Sequence, residues 1–270
     1  MGRGKRWMGR APAIIAFVGA LGLVSAGFGA SVTNGLFEGG AVNLGISHPL
    51  DGVADLVPNG WTRVETFSGG VVENSGISVV ADNGPSAPGA WALQCVRSLG
   101  GASGDWTAVQ QNLGINASLY SALSLSVDTK VIAHNLEAGG WVVPAFEWPV
   151  VLEIGYTTTG GANQVWRYGW YLSPPGDSVG GPVNDPGQGL IPVYNDMLVQ
   201  QGAWTTTTFN LFNELPQMGT INYLRVGGSG WNFEGRADNL VLSGTAVPEP
   251  ATLALLAVPA VLAVWRRARR

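Results

Sequence analysis

The chain has 270 residues, and its 40 glycines and 16 prolines are too many for a helical protein, though not for one built from short strands and many turns. Its formal charge of −4 understates the acidity of the middle, because residues 31–247 keep six Lys and Arg against 17 Asp and Glu, a net −11. A body that acidic repels a phosphate backbone, which excludes nucleic acid as a partner, and a single cysteine, Cys95, excludes an intramolecular disulfide.

At the N-terminus, Arg3, Lys5, Arg6 and Arg10 precede an apolar run from Ala11 to Val24, and Val24-Ser25-Ala26 offers the small residues that signal peptidase reads. Residues 1–30 therefore predict a signal helix, cleaved after Ala26. A retained transmembrane helix is the alternative, weakened by Gly19, Gly22 and Gly27. Either way the protein leaves the cytoplasm.

Residues 31–246 show no long 3.6-residue apolar stripe; alternation with period two recurs instead. Leu123, Leu125 and Val127 alternate with polar residues, as do Leu152, Ile154 and Tyr156, while Leu240 and Leu242 share a face with Asp238. Further strands are expected at 60–67, 71–80, 90–97, 106–112, 164–172, 204–212 and 221–226, separated by turn signals such as Asn83-Gly84-Pro85 and Gly160-Gly161. Some ten short strands punctuated in this way predict an all-β body: a two-sheet antiparallel β-sandwich of jelly-roll type, flanked by the N-terminal signal helix and a short C-terminal hydrophobic helix. Residues 173–201 read as a long loop, and 133–149 as a second loop carrying tryptophans. Cys95 shares one strand face with Leu93 and Trp91, which predicts a buried thiol acting as a small hydrophobe.

Nine of the 11 tryptophans fall between the two ends. In Q-V-W-R-Y-G-W-Y, Trp166, Tyr168 and Trp170 project from one strand face, with Arg167 and Tyr171 on the other. On a solvated sheet the three rings would stack against a glycan; on the inner face they would be core. Trp141 and Trp148 are alternative contacts. An enzyme would need paired carboxylates, and Glu147 and Glu153 flank Trp148, but nothing in their spacing sets a separation or shifts a pKa. His48 and His134 stand apart, no zinc-ligand spacing occurs, and no catalytic residue is assigned.

The last segment, 247–270, has three parts in order: Pro248-Glu249-Pro250, an apolar run from Ala251 to Val264, and Arg266, Arg267, Arg269 and Arg270. The prolines keep the tripeptide extended, and the arginines hold the end on the cytoplasmic side of the inner membrane. This order resembles the PEP-CTERM sorting signal of Gram-negative, exopolysaccharide-producing bacteria, whose tail is recognised by an exosortase and removed near the motif. An ordinary membrane anchor would not need the Pro-Glu-Pro.

The body opens with V-T-N-G-L-F-E-G-G (32–40), continues to Gly60-Trp61 and closes with G-R-A-D-N-L-V-L (235–242). These motifs resemble the galactose-binding-like jelly rolls, a group that includes many carbohydrate-binding modules. The resemblance implies that the two ends of the body meet, and that Glu38 and Asp238 are among the oxygen ligands of a structural calcium. Together the readings describe an exported, exosortase-sorted surface or matrix protein that engages exopolysaccharide without catalysis. The alternatives are a structural matrix component with no specific ligand, for which the Trp166 row would be buried, and a carbohydrate-active enzyme.

Overall fold

The computed structural model describes residues 31–48, 51–67, 74–86, 89–98, 105–134, 148–172, 194–230 and 232–247. The expected signal segment, the expected sorting tail beyond Val247, Trp141 and Glu147 lie outside them. Among the described residues no helix is long and apolar enough to cross a membrane.

Among the described residues thirteen strands follow in order: β1 (Ala41–Ile46), β2 (Ala54–Pro58), β3 (Thr62–Glu65), β4 (Asn74–Ala81), β5 (Trp91–Ser98), β6 (Trp106–Asn116), β7 (Tyr120–His134), β8 (Trp148–Thr158), β9 (Asn163–Tyr171), β10 (Tyr194–Leu198), β11 (Trp204–Asn210), β12 (Met218–Ser229) and β13 (Phe233–Ala246). One sheet runs β10-β9-β8-β12-β6-β3 and the other β11-β7-β13-β5-β4, while β1 and β2 form a separate hairpin. The protein is an all-β sandwich of two sheets, antiparallel except where β10 lies parallel to β9.

Period-two alternation supplies the core. Leu123, Leu125 and Val127 of β7 face Leu152 and Ile154 of β8 across the sandwich, with Leu224 and Val226 of β12 beside them, and all are essentially buried. Each such side chain contributes about 1.5–3 kcal/mol by leaving water. Cys95 is buried and free, as expected, and burial pushes its thiol far above the usual range. A one-turn helix, α1 (Leu211–Glu214), interrupts the pattern after β11: the Asn210 side chain caps it by accepting from the Phe212 amide at 3.1 Å, and its Leu211 drops into the core.

The opening and closing motifs meet, as the resemblance implies. The Leu240 amide donates to the Gly35 carbonyl at 3.0 Å, beside a bulge in β13 where Asn239 adopts φ 54°. Trp61 packs on Phe37 at 5.8 Å, and its Nε1 donates to the Asn34 carbonyl at 3.3 Å.

Two loop expectations are corrected. β10 lies inside the stretch read as one long loop, where Tyr-Asn-Asp-Met-Leu lacks clean alternation and pairs at a sheet edge. The stretch 133–149 is bounded by strands, since β7 runs to His134 and Trp148 already belongs to β8.

Candidate functional site: the outer face of the six-stranded sheet

The row Trp166, Tyr168 and Trp170 faces inward. Trp166 is 2% and Trp170 0% exposed, and Phe209 of the opposite sheet packs against all three rings at 4.9–6.3 Å. The row packs into the core, so its expected role as an exposed platform for a glycan chain is corrected. Trp148 is also buried, at 4% exposed, in a small apolar cluster with Trp106, Ala108, Val151 and Tyr171.

That second cluster lies on the other side of the same sheet. Residues one step out of phase with the core point there: Arg167 on β9, Val151 and Glu153 on β8, Tyr223 and Arg225 on β12, and Ala108 and Gln110 on β6. The strand register sets Gln110, Arg225, Glu153 and Arg167 in one row across four strands. Two glycines shape the floor. A Cβ on Gly155 would stand 2.0 Å from the Tyr223 ring, and one on Gly169 would stand 2.4 Å from the Trp148 ring, so each ring lies down over its neighbouring strand.

Glu153, 1% exposed, is the centre of the row. Arg225 Nη1 lies 2.9 Å from its Oε1, the Tyr223 hydroxyl donates to the same oxygen at 2.8 Å, and Arg167 Nε donates to Oε2. Arg225 also donates through Nε and Nη2 to Gln110 Oε1, at 3.2 and 2.9 Å. Both guanidinium groups lie over the Trp106 ring, at 5.2 Å for Arg167 and 4.9 Å for Arg225. Burial, reinforced by the charge of Glu153, pushes the Tyr223 hydroxyl well above its ordinary pKa, so it stays a neutral donor. Two of the body's six cations thus share one acid, leaving a local net charge of +1 in an acidic protein.

The expected calcium ligands sit where the chain's ends meet. Glu38 Oε1 accepts from the Ala90 and Trp91 amides at 2.6 and 2.9 Å, which anchors the start of β5. Asp238 accepts from the Gly84 and Asn239 amides at 2.9 and 2.7 Å. Burial raises Asp238 to about 6, with the charges of Asp128 and Glu38 adding to it against those two hydrogen bonds. Asn239 is 2% exposed, and its Oδ1 is buried with no hydrogen-bond partner.

Among the described residues, three carboxylates converge within 4.8 Å at another place: Asp51, Asp55 and Glu65, beside β2 and β3. Asp55 accepts from the Ile77 amide and from Arg63, at 2.8 and 2.9 Å. Burial pushes Glu65 up to about 7, and Asp55 and Asp51 add to the rise while Ser47 and Ser75 oppose it.

The alternation in β9 puts Arg167 on the face opposite the Trp166 row, which is where it lies, and leaves open which face is solvated. Tyr223, Arg225, Gln110 and Trp106 were missed. The available signal was charge in mid-strand: Arg167 and Arg225 interrupt apolar runs in a body with only six cations.

No protein-family model matches the sequence, and no curated protein matches it. Solved structures similar to the chain include a family 11 carbohydrate-binding module from Clostridium thermocellum in complex with a β-1,3-1,4-mixed-linked tetrasaccharide, at 11% identity over 70% of this chain and 92% of that one, with a TM-score of 0.37. The CBM22-1 xylan-binding domain of Xyn10C from Paenibacillus barcinonensis is similar at 12% identity over 70% and 88%, TM-score 0.34. TmCBM61, in complex with β-1,4-galactotriose, is similar at 12% identity over 79% and 97%, TM-score 0.33.

Proposed function

We propose that this chain is an exported surface or matrix protein whose sandwich binds a glycan, without catalysis, on the outer face of the six-stranded sheet. The observation that carries the reading is the row Gln110–Arg225–Glu153–Arg167, with Tyr223 and Trp106 against it. Guanidinium and amide groups fix sugar hydroxyls while the partly exposed Tyr223 ring takes the sugar's C–H surface, and the buried Trp106 ring holds the two guanidinium groups in place. The local +1 charge favours acidic sugars. Glu153 accepts from two arginines and a tyrosine, which suits orientation of neighbours better than proton transfer.

Export and sorting rest on the sequence: a signal segment before residue 31, and a tail that resembles an exosortase substrate. We assign the structural calcium that the resemblance implies to the place where the two ends of the body meet. Asp238, Asp128 and the buried, unpartnered Asn239 Oδ1 would supply oxygens there, with Glu38 near enough to raise Asp238, and such a hard donor set suits that ion. The ion would brace the ends of the body.

The test is retention of the full-length protein on the producing organism's exopolysaccharide, with an Arg225→Ala, Tyr223→Ala variant alongside. Binding by the wild type, lost in a folded variant, is the expected result. One observation favours the purely structural reading, namely that the Trp166 row is core; a folded wild type that binds no glycan would establish that reading instead. For sorting, mass spectrometry of the surface fraction should find a chain that begins at Gly27 and lacks 251–270.

A further inference from the structure

At the turn end of β8 and β9 the sandwich holds a cleft of about 250 Å³, away from the outer-face row. The hairpin supplies Tyr156, Thr158, Gln164, Val165 and Trp166, and the turn from α1 to β12 supplies Glu214, Pro216 and Gln217. The two sides are pinned together where the Thr159 amide donates to the Gln217 carbonyl at 2.8 Å.

Trp166 lines this cleft at 2% exposed, and its Nε1–H is buried without an acceptor in the protein. Its neighbour Trp170 shows the ordinary arrangement, donating from Nε1 to Thr207 Oγ1 at 3.3 Å. A buried indole N–H left unsatisfied is costly, and an oxygen arriving through the cleft would relieve that cost.

We propose that this cleft binds one neutral pyranose unit, the end or a branch of a glycan chain, with a sugar oxygen accepting from Trp166 Nε1. The volume is below that of pockets for drug-sized ligands and suits a single ring. Val165 and Pro216 give apolar surface for the C–H face of a sugar, with the nearly buried Tyr156 and Trp166 behind them. Thr158, Gln164, Gln217 and Glu214 offer hydroxyl partners, and the Glu214 carboxylate accepts from hydroxyls while repelling anions. The preference is therefore opposite in charge to that of the outer face, and the inference does not depend on the outer-face reading.

The experiment uses the full-length protein labelled with ¹⁵N at its tryptophans. The Trp166 indole resonance is assigned by its loss in Trp166→Phe or, should that variant not fold, by its contacts to Phe209. Methyl glycosides of galactose, glucose and mannose are titrated in, with methyl glucuronide as the anionic control. At least one neutral glycoside should shift the Trp166 resonance, with a Kd on the order of millimolar for so small a ligand. Glucuronide should bind about tenfold more weakly, as expected for a ligand facing a carboxylate. Gln164→Ala with Glu214→Ala should abolish the shift, and Arg225→Ala should leave it intact. An indole unmoved by all three neutral glycosides, or shifted equally in the Gln164→Ala, Glu214→Ala variant, overturns the proposal and leaves a hydrated crevice.

Discussion

Arg225 and Glu153 are register partners on adjacent central strands, and they close an ion pair at 2.9 Å on a face of the sheet where Glu153 is almost wholly buried. Removing the acid strands two guanidinium groups over one indole. Glu153→Ala should therefore cost about 3–5 kcal/mol in urea unfolding. Arg225→Ala leaves Glu153 with Arg167 and Tyr223 and should cost less, about 1–2 kcal/mol, so the glycan test can use it in a folded protein.

The glycine beneath Tyr223 gives a separate handle on the site. Gly155→Ala places a methyl group 2.0 Å from the ring and forces Tyr223 off the sheet. Such overpacking costs about 1–3 kcal/mol. Glycan retention should fall with it, although Gly155 itself offers a ligand nothing. Unchanged retention would mean that the ring's position is irrelevant to binding.

Stability should also depend on pH through Glu65. Its folded pKa, about 7, lies above the ordinary 4.5, so the folded state holds the proton more tightly than the unfolded chain. The contribution is full below pH 4.5 and lost as pH rises through 7, a fall of up to about 3 kcal/mol. Melting temperatures measured between pH 4 and 8 should decline over that window, and Glu65→Gln should flatten the decline.

Calcium, if held by Asp238 and its neighbours, competes with the proton that a pKa of about 6 retains. Adding EDTA at pH 7.5 should lower the melting temperature, and the effect should shrink below pH 6. Asp238→Asn should remove the response to EDTA. A melting temperature indifferent to EDTA at every pH would leave Glu38 and Asp238 as backbone anchors alone.

The strands were legible because alternation survives in the sequence wherever one face is core. Leu152, Ile154 and Tyr156 declare β8, just as Trp166, Tyr168 and Trp170 declare β9. Which face meets solvent was not legible in β9, where both faces carry large residues and only the second sheet, through Phe209, decides the matter. The hairpin of β1 and β2 is absent from the sequence reading although Val42, Leu44 and Ile46 alternate with Asn43 and Gly45; this apolar face is exposed and belongs to neither large sheet. The meeting of Gly35 with Leu240 could be anticipated only through the resemblance of the two end motifs, since no local pattern joins residues that far apart. The outer-face row is a product of register. Gln110, Arg225, Glu153 and Arg167 lie on four strands, and nothing within any one strand announces the other three.

The strand that leads toward the tail occupies the middle of its sheet. β13 is bonded to β7 along most of its length and to β5 over Phe233–Ala237, and the Val247 amide still donates to the Leu119 carbonyl at 2.8 Å. Tension applied to the chain beyond Val247 would have to slide β13 lengthwise between two partners, shearing many hydrogen bonds together instead of peeling them one at a time from an edge. A pull on that end would thus meet the sheet in shear, the direction in which it resists most.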